Sequence, residues 1–307
     1  MDISDSLPSG LTTRPLTMAD ARSVSRVIGD LQRLEIGSAD IEEADIIGDW
    51  QVPSVDLATM TMGVFADDRL VGYAEAARHG TCDAAVHPQW HGQGIGTALA
   101  RWMQERSREL GATVVGMPVP VGKSGDRLLE RLGYRVRWTS WVLQLPEGKT
   151  IPERPLPAGY TVRAARPDEY RTVHQVIEDA FQEWAEREPK AFEYFEAGVV
   201  GRPGFEPWQV RVVEGPDGIV GAAVLIMARD DEGTLVEGYV QSLAVRRDHR
   251  GLGLAQALLV DAFSLAREHG APVNGLATDS RTGALGLYEK VGMEVTQTWV
   301  NRAIDVA

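Results

Sequence analysis

An internal repeat constrains the fold of this 307-residue chain more than any other feature. Residues 91–96 (HGQGIG) reappear as residues 250–255 (RGLGLA), and residues 130–134 (ERLGY) reappear as residues 289–293 (EKVGM). Positions 91 and 250 differ by 159, as do positions 133 and 292. Because two separate segments match in register, the chain is predicted to contain two copies of one domain.

Proline density marks the boundary between the two copies. Four prolines fall within one short stretch: Pro146, Pro152, Pro155 and Pro157. Proline interrupts helices and strand ladders, so this stretch is predicted to be a linker. The predicted organisation is an N-terminal domain over residues 1–145, a linker over 146–159 and a second domain over 160–307.

Apolar periodicity predicts a mixed α+β domain. In the second copy, strands are predicted over residues 160–163, 208–213, 219–228, 235–245, 273–277 and 294–303. Helices are predicted to begin near residue 167 and to cover residues 256–269 and 283–291. This order of elements is typical of a largely antiparallel sheet flanked by helices.

Composition excludes several functional classes. The chain has 31 basic and 44 acidic residues, a net charge of −13, which disfavours general nucleic-acid binding and favours cationic small molecules. No apolar run approaches the roughly 18 residues of a membrane helix, and the N-terminus lacks the features of a signal peptide. Cys82 is the only cysteine, so no intramolecular disulfide and no all-thiolate metal site are expected. A cytoplasmic location is expected, and the oligomeric state stays open.

The repeated glycine segment lies between a predicted strand and a predicted helix. Glycine leaves backbone N–H groups unobstructed, and the helix N-terminus carries partial positive charge, so the loop is predicted to bind phosphate. A dinucleotide fingerprint needs a third glycine, but Gln256 and Thr97 stand there. A P-loop is nearly complete at residues 122–124 (GKS), but Met117 occupies the place of its first glycine.

The remaining pattern, Arg-x-x-Gly-x-Ala at 250–255, resembles the pyrophosphate loop of the GNAT acyltransferase superfamily. Residues 242–245 (SLAV) resemble the strand before that loop, and residues 283–293 (GALGLYEKVGM) resemble the later helix and turn. The resemblance covers most of both halves, and the tandem layout is similar to that of mycothiol-synthase-like proteins. It implies two tandem GNAT domains and an acyltransferase that uses acetyl-CoA as co-substrate and no metal.

The resemblance also implies roles for individual residues of the second copy. The CoA pyrophosphate is expected on Arg250, Gly251, Leu252, Gly253, Leu254 and Ala255. Pantetheine is expected to pair with Leu243, Ala244 and Val245, and Ser280 stands near the usual place of a CoA-binding asparagine. Tyr288 occupies the position of the tyrosine that commonly protonates the leaving thiolate, with core packing as the alternative.

The general base is less clearly marked in the sequence. On a regular strand, Glu237, Tyr239, Gln241, Leu243 and Val245 would share one face. The two slots where the family often has a glutamate hold Tyr239 and Gln241, so Glu237 is the candidate base, acting through water. A solvated glutamate at the strand end is the alternative.

The first copy is predicted to lack acetyl-transfer activity. His91 replaces the loop arginine and Leu129 replaces the tyrosine, whereas the glycines are kept. A possible second CoA site consists of Val86, Gly92, Gln93, Gly94, Ile95 and Gly96. Structural support, a wall of the acceptor site and a regulatory CoA site are all open roles. His87 and His91 are not expected to bind metal because Pro88 and Gly92 disfavour a continuous helix there.

The acceptor wall is expected in the segment after the first helix of the second copy. Aromatic and acidic residues alternate there, and the candidate acceptor-binding residues are Trp184, Phe205, Tyr239 and Gln241. Such a mixture suits an amine with an apolar or sugar-like body. An aromatic core face with solvated glutamates is the alternative. The expected function is N-acetylation of a small-molecule amine; other acyl-CoA donors or acceptors and a non-catalytic acyl-CoA sensor stay open.

Overall fold

A computed structural model of the chain describes residues 3, 6–39, 41–77, 80–184, 189–230 and 232–306. The chain divides into two compact units. Unit 1 consists of Met1–Thr139 together with Thr298–Ala307, and unit 2 consists of Ser140–Gln297.

These units differ from the predicted domains at two places. Residues 140–159, predicted to be the end of the first domain and a linker, belong to unit 2. Residues 298–307, predicted in the second domain, belong to unit 1. The physical reason is strand pairing, because each unit takes one strand segment from the other half of the chain.

Unit 1 begins with an antiparallel sheet. Its strands and helices, in chain order, are β1 (Leu11–Arg14), α1 (Ala21–Ile36), α2 (Glu43–Trp50), α3 (Leu57–Met60), β2 (Thr61–Ala66), β3 (Arg69–Ala76), β4 (Cys82–Val86), α4 (Ile95–Glu109), β5 (Val114–Pro120), α5 (Ser124–Arg131) and the start of β6 (Arg135–Leu145). Strands β1 to β4 are hydrogen-bonded in sequence order, and a parallel bridge joins Thr81 to Gly116 of β5.

Unit 1 buries apolar side chains on both faces of this sheet. Val64 and Val71 pack with Leu99 and Trp102 of α4, where apolar residues recur at helical spacing. Another group, which includes Val24, Trp50 and Tyr73, packs with α1 and α2. Both faces are therefore covered, as the predicted architecture requires.

Unit 2 repeats this order of elements. Its strands and helices are β7 (Thr161–Ala164), α6 (Tyr170–Gln182), α7 (Phe192–Phe195), β8 (Val210–Gly215), β9 (Gly218–Arg229), β10 (Leu235–Val245), α8 (Leu254–Glu268), β11 (Asn274–Asp279), α9 (Leu285–Lys290) and the start of β12 (Glu294–Asp305). The sheet order is β7-β8-β9-β10-β11, and residues 140–145 of β6 pair antiparallel with β11. Only β10 and β11 are parallel among these pairs.

The predicted fold class is confirmed, since each unit is a mixed, largely antiparallel sheet with helices on its faces. The helix predicted over 256–269 begins two residues earlier, at Leu254, whose side chain is 1% exposed. Within the described residues, no helix is both long and apolar enough to cross a membrane.

The last segment of β12 is fixed in unit 1 by pairing, packing and charge. Residues 298–305 of this strand include the partners of β5, from Trp299 opposite Pro120 to Asp305 opposite Val114. Val300 and Val306 enter the core of unit 1. Arg302 is 9% exposed; its Nε donates to Asp126 at 2.7 Å and its Nη1 to the Tyr134 carbonyl at 3.2 Å.

Replacing Arg302 tests how much this segment stabilises unit 1. We expect Arg302→Ala to lower the free energy of unfolding of unit 1 by roughly 3 kcal/mol, because it leaves the buried Asp126 carboxylate without its cation. Native-state hydrogen exchange should show faster exchange for β5 amides and unchanged exchange for β10.

Arg135→Ala is the matched control, because Arg135 pairs with Asp305 of the same strand while its side chain is 58% exposed. We expect it to lower the free energy of unfolding far less than Arg302→Ala does, because water screens this exposed pair. Equal losses in the two variants, or faster exchange in β10, would contradict the assignment of residues 298–305 to unit 1.

Candidate active site

The site in unit 2 begins where two parallel strands separate. Strands β10 and β11 pair only over Gly238–Val240 and Asn274–Leu276. β10 then continues to Val245 and β11 to Asp279. Backbone N–H and C=O groups that face such a gap have no ladder partner and are available to an extended ligand. The gap therefore forms a slot between the carboxyl ends of the two strands.

The glycine loop closes one end of this slot. Gly251 and Gly253 have φ values of 78° and 82°, in the left-handed region that favours glycine. α8 starts at Leu254, which is anchored in the core next to Leu258. The first N–H groups of a helix lack intrahelical partners, so the loop presents donors and the positive end of the helix dipole.

A cavity of about 550 Å³ connects the slot, the loop and α9. Most of the site residues predicted from the sequence line it: Trp184, Gln241, Leu243, Ala244, Val245, Arg250, Gly251, Gly253, Leu254, Ala255 and Tyr288. These residues come from the end of α6, from β10, from the loop and from α9. The cavity thus brings the predicted donor contacts and the predicted acid into one space.

Five predicted residues are not among the described residues that line the cavity: Glu237, Tyr239, Leu252, Phe205 and Ser280. Strand β10 has irregular register against β9 at Leu235–Glu237 and at Val240–Ser242. Bulges of this kind break the alternation of side chains, so the predicted common face of Glu237 to Val245 does not form. Phe205 instead packs edge-on against Tyr170, with ring centroids 6.2 Å apart.

Glu237 lies against β11 beside the slot. Its Oε1 accepts a hydrogen bond from Gln144 Nε2 at 3.1 Å, and a methyl group on Gly275 would clash with this carboxylate oxygen. The glycine at position 275 therefore makes room for the carboxylate. Gly275 is followed on β11 by Leu276, which does line the cavity, so the carboxylate lies beside the cavity wall.

Tyr288 both packs in the core and faces the cavity. Its side chain is 7% exposed and belongs to a cluster with Phe263 and Met293. Burial raises the pKa of Tyr288 to about 12, so the phenol keeps its proton at neutral pH. The two interpretations of Tyr288, core packing and proton donation, are therefore compatible with each other.

Arg250 is held at both ends of its guanidinium group. Nε donates to the Val245 carbonyl at 3.0 Å, and Nη1 and Nη2 donate to the Glu183 carboxylate at 2.8 and 2.9 Å. The first interaction ties the loop to the end of β10. The second, a bidentate ion pair, ties the loop to the end of α6. Sequence spacing gives no sign of this pair because 67 residues separate its members.

Several other wall residues were missed by the sequence analysis. Arg154, Asp279 and Thr282 are three of those that line the cavity. Asp279 pairs with Arg281, whose guanidinium lies 5.0 Å from the ring centroid of Trp184. Arg154 lies in the segment predicted as a linker, and only the tertiary fold brings it to the loop.

The first copy of the loop has nearly the same backbone geometry. Gly92 and Gly94 have φ values of 75° and 88°, and α4 has the same 15-residue length as α8. His91 Nε2 donates to the Val86 carbonyl at 2.9 Å, which reproduces the Arg250 tether to Val245. The histidine thus keeps the structural contact of the arginine.

The helix after the loop lies differently in the two copies. In unit 1, a Cβ atom on Gly96 would lie 2.9 Å from Leu128 Cδ2, so α5 packs directly on the start of α4. In unit 2 the matching position is Ala255, and Leu287, the counterpart of Leu128, is 43% exposed and lines the cavity. Leu129, at the position of Tyr288, is 2% exposed and purely apolar.

No group of three or more His, Cys, Asp or Glu side chains that could hold a metal ion occurs in the part of the chain that the structure describes. Cys82 is buried, with Sγ 3.5 Å from Ser107 Oγ, and burial raises the pKa of its thiol to about 12. A thiol in this state is a poor nucleophile.

Family models match both units. The acetyltransferase (GNAT) family model matches residues 170–293, and a second GNAT domain model matches residues 61–136. Together these matches span about two thirds of the chain. Each matched range contains one glycine loop and the helix that follows it.

Similar proteins share the whole tandem arrangement. A mycothiol acetyltransferase of Salinispora arenicola is 29% identical over 312 residues, covering 94% of this chain and 93% of its own. The crystal structure of a GCN5-related N-acetyltransferase from Sphaerobacter thermophilus is 27% identical with a TM-score of 0.74, and the alignment covers 98% and 97% of the two chains. A tandem GNAT protein from the clavulanic acid biosynthesis pathway, 17% identical, shares the fold with a TM-score of 0.72 and 97% and 99% coverage.

Four observations point to the same family: the repeated glycine loops, the separated strands, the two family matches and the relatives that align over nearly the whole chain. The chain belongs to the GNAT acetyltransferase family and is a tandem GNAT acyltransferase.

Proposed function

We propose that unit 2 transfers an acetyl group from acetyl-CoA to the amine of a small molecule by direct attack on the thioester. The observation that carries this proposal is a cavity of about 550 Å³ that joins the glycine loop, the open end of β10 and Tyr288. These are the three parts that acyl transfer needs: an anion cradle, an extended slot and a proton donor.

The described residues fit a CoA thioester. The cavity volume is in the range of small-molecule sites, roughly 300 to 1,000 Å³. Backbone donors of the loop suit a pyrophosphate, and the unpaired edge of β10 at Leu243–Val245 suits the amide groups of pantetheine. A free N–H in this strand can also stabilise negative charge on the thioester oxygen.

Tyr288 is the proposed proton donor to the departing thiolate. A pKa of about 12 leaves it protonated in the resting site, as an acid must be. For the base, Glu237 is the proposed residue, acting on the acceptor amine through water because its carboxylate lies outside the cavity wall. An ammonium acceptor must lose a proton before attack, since few amines are neutral at pH 7.

The acceptor is proposed to enter along Trp184 and Gln241, which border the cavity beside the β10 end. The net charge of −13 favours the approach of a cation. Because relatives of this chain are named mycothiol acetyltransferases, we would screen a mycothiol-type acceptor first, followed by amino sugars and amino acid derivatives. A different acyl-CoA donor and a different acceptor are the remaining alternatives, which a panel of acyl-CoAs and a panel of amines would separate.

Changing Tyr288 to phenylalanine tests the proton-donor role. We expect Tyr288→Phe to lower kcat on the order of a hundredfold while acetyl-CoA affinity stays nearly constant, because only the hydroxyl is lost. Steady-state kinetics with an accepted amine and calorimetry with acetyl-CoA measure the two quantities.

Tyr170→Phe is the matched control, because Tyr170 is also 7% exposed but packs with Phe195 and Phe205 away from the cavity wall. We expect its kcat to equal that of the wild type. A Tyr288→Phe enzyme with undiminished kcat would remove Tyr288 from the chemistry.

Calorimetric titration tests whether one or both loops bind acetyl-CoA. We expect one site per chain, because Leu128 lies over the first loop whereas the second opens on the cavity. Gly253→Ala should weaken this binding strongly, since its Cβ would lie 2.6 Å from Arg154 Cδ and would displace that side chain beside the loop.

Gly94→Ala provides the control with equal backbone strain, because Gly94 has a similar positive φ but open space around it. We expect it to bind acetyl-CoA like the wild type. A stoichiometry near two, with one site lost in Gly94→Ala, would show that unit 1 also binds the donor.

A further inference from the structure

The proline-rich segment, residues 151–160, forms a strap across the start of α8. Ile151 is 5% exposed and packs in the core with Leu259 and Phe263. At the other end, the Tyr160 hydroxyl lies 2.9 Å from His249 Nδ1, directly before the glycine loop. The strap is thus anchored on both sides of the loop and is part of unit 2.

The middle of the strap is also fixed. The Pro152 carbonyl accepts a hydrogen bond from Gln256 Nε2 at 2.6 Å, and Leu156 packs beside the buried Leu254. Pro152, Pro155 and Pro157 restrict φ, which reduces the entropy lost when the strap is ordered. The strap is therefore preorganised against the loop.

Arg154 extends from this strap over the last glycine of the loop. Around the position that a Cβ of Gly253 would take, Arg154 Cδ lies at 2.6 Å, Nε at 2.9 Å and Cζ at 3.3 Å. Arg154 also lines the cavity. Its guanidinium therefore lies at the point where the loop ends and the donors of α8 begin.

The two arginines of the cavity wall differ in their partners. Arg250 is committed to Glu183 and to the Val245 carbonyl. Arg154 has no acidic partner among the described residues. A cation of this kind beside a row of backbone donors recognises an anion by charge-assisted hydrogen bonds.

We propose that Arg154 binds the pyrophosphate of the CoA donor. The strap between the two sequence repeats would then supply the site with a cation that is not paired to an acidic residue. This inference rests on the proposed function of unit 2. At the matching position of the first loop, a Cβ on Gly94 would have no neighbour within 4 Å among the described residues, so no cation lies over that glycine there. The strap, which contacts the second loop, thus makes the two loops different.

Calorimetry on the full chain with three ligands tests the proposal: CoA, dephospho-CoA, which lacks the 3′-phosphate, and pantetheine, which lacks all phosphates. We expect Arg154→Ala and Arg154→Gln to weaken CoA and dephospho-CoA by the same factor, about tenfold. Pantetheine affinity and the melting temperature should not change. The glutamine variant keeps two methylene groups of the stem and an amide donor, but it lacks the charged guanidinium.

Lys149→Ala is the control for net charge. Lys149 is an exposed cation of the predicted linker, two residues before the strap, and it does not line the cavity. We expect it to bind all three ligands like the wild type. Wild-type affinity in both Arg154 variants would overturn the inference, and so would weakening confined to CoA, which would place Arg154 on the 3′-phosphate. If the wild-type chain binds none of the ligands, the proposed function itself fails.

Discussion

The site depends on one constraint of the sheet, the three-residue parallel contact between β10 and β11. A longer contact between the two strands would close the slot. With no contact between them, β11 and α9 would have no fixed position relative to the loop. Most of the residues that line the cavity lie in one of these two strands or follow it in the chain. The loop and α8 continue from β10, whereas Asp279, Thr282 and Tyr288 continue from β11. The geometry of the site is therefore set by backbone hydrogen bonds, and side chains only complete it.

Charge organises the mouth of the same cavity. Arg250 with Glu183 joins the loop to the end of α6, whereas Arg281 with Asp279 is an ion pair within the segment that leads to α9. Arg281 also lies over the Trp184 ring, so the proposed acceptor wall is held by cations that belong to the donor side. An anionic donor that attracts these arginines would compete with Glu183 and Asp279 for them. The proposed donor and acceptor sites thus share electrostatic partners.

Local patterns predicted much of this molecule. Short-range sequence signals predict the glycine loop and the strands of the second copy, because a left-handed glycine and a helix start are local events. They also point to Val245, Gly253 and Tyr288, which line one cavity. The register irregularities of β10 could not be predicted, since a bulge depends on the partner strand. The Arg250–Glu183 pair and the position of Arg154 also depend on contacts between distant segments. The unit boundaries differ for the same reason, because strand partners at long sequence separation carry no local mark.

The exchange of strand segments has a consequence for the order in which the chain folds. Val114 pairs with Asp305, and all of unit 2 lies between these two residues in the sequence. During synthesis, unit 1 therefore leaves the ribosome with one edge of its sheet unfilled, and it completes this sheet only after unit 2 has been made. Unit 2, in contrast, receives residues 140–145 before the rest of its own chain. The half that is translated first is thus the half that finishes folding last.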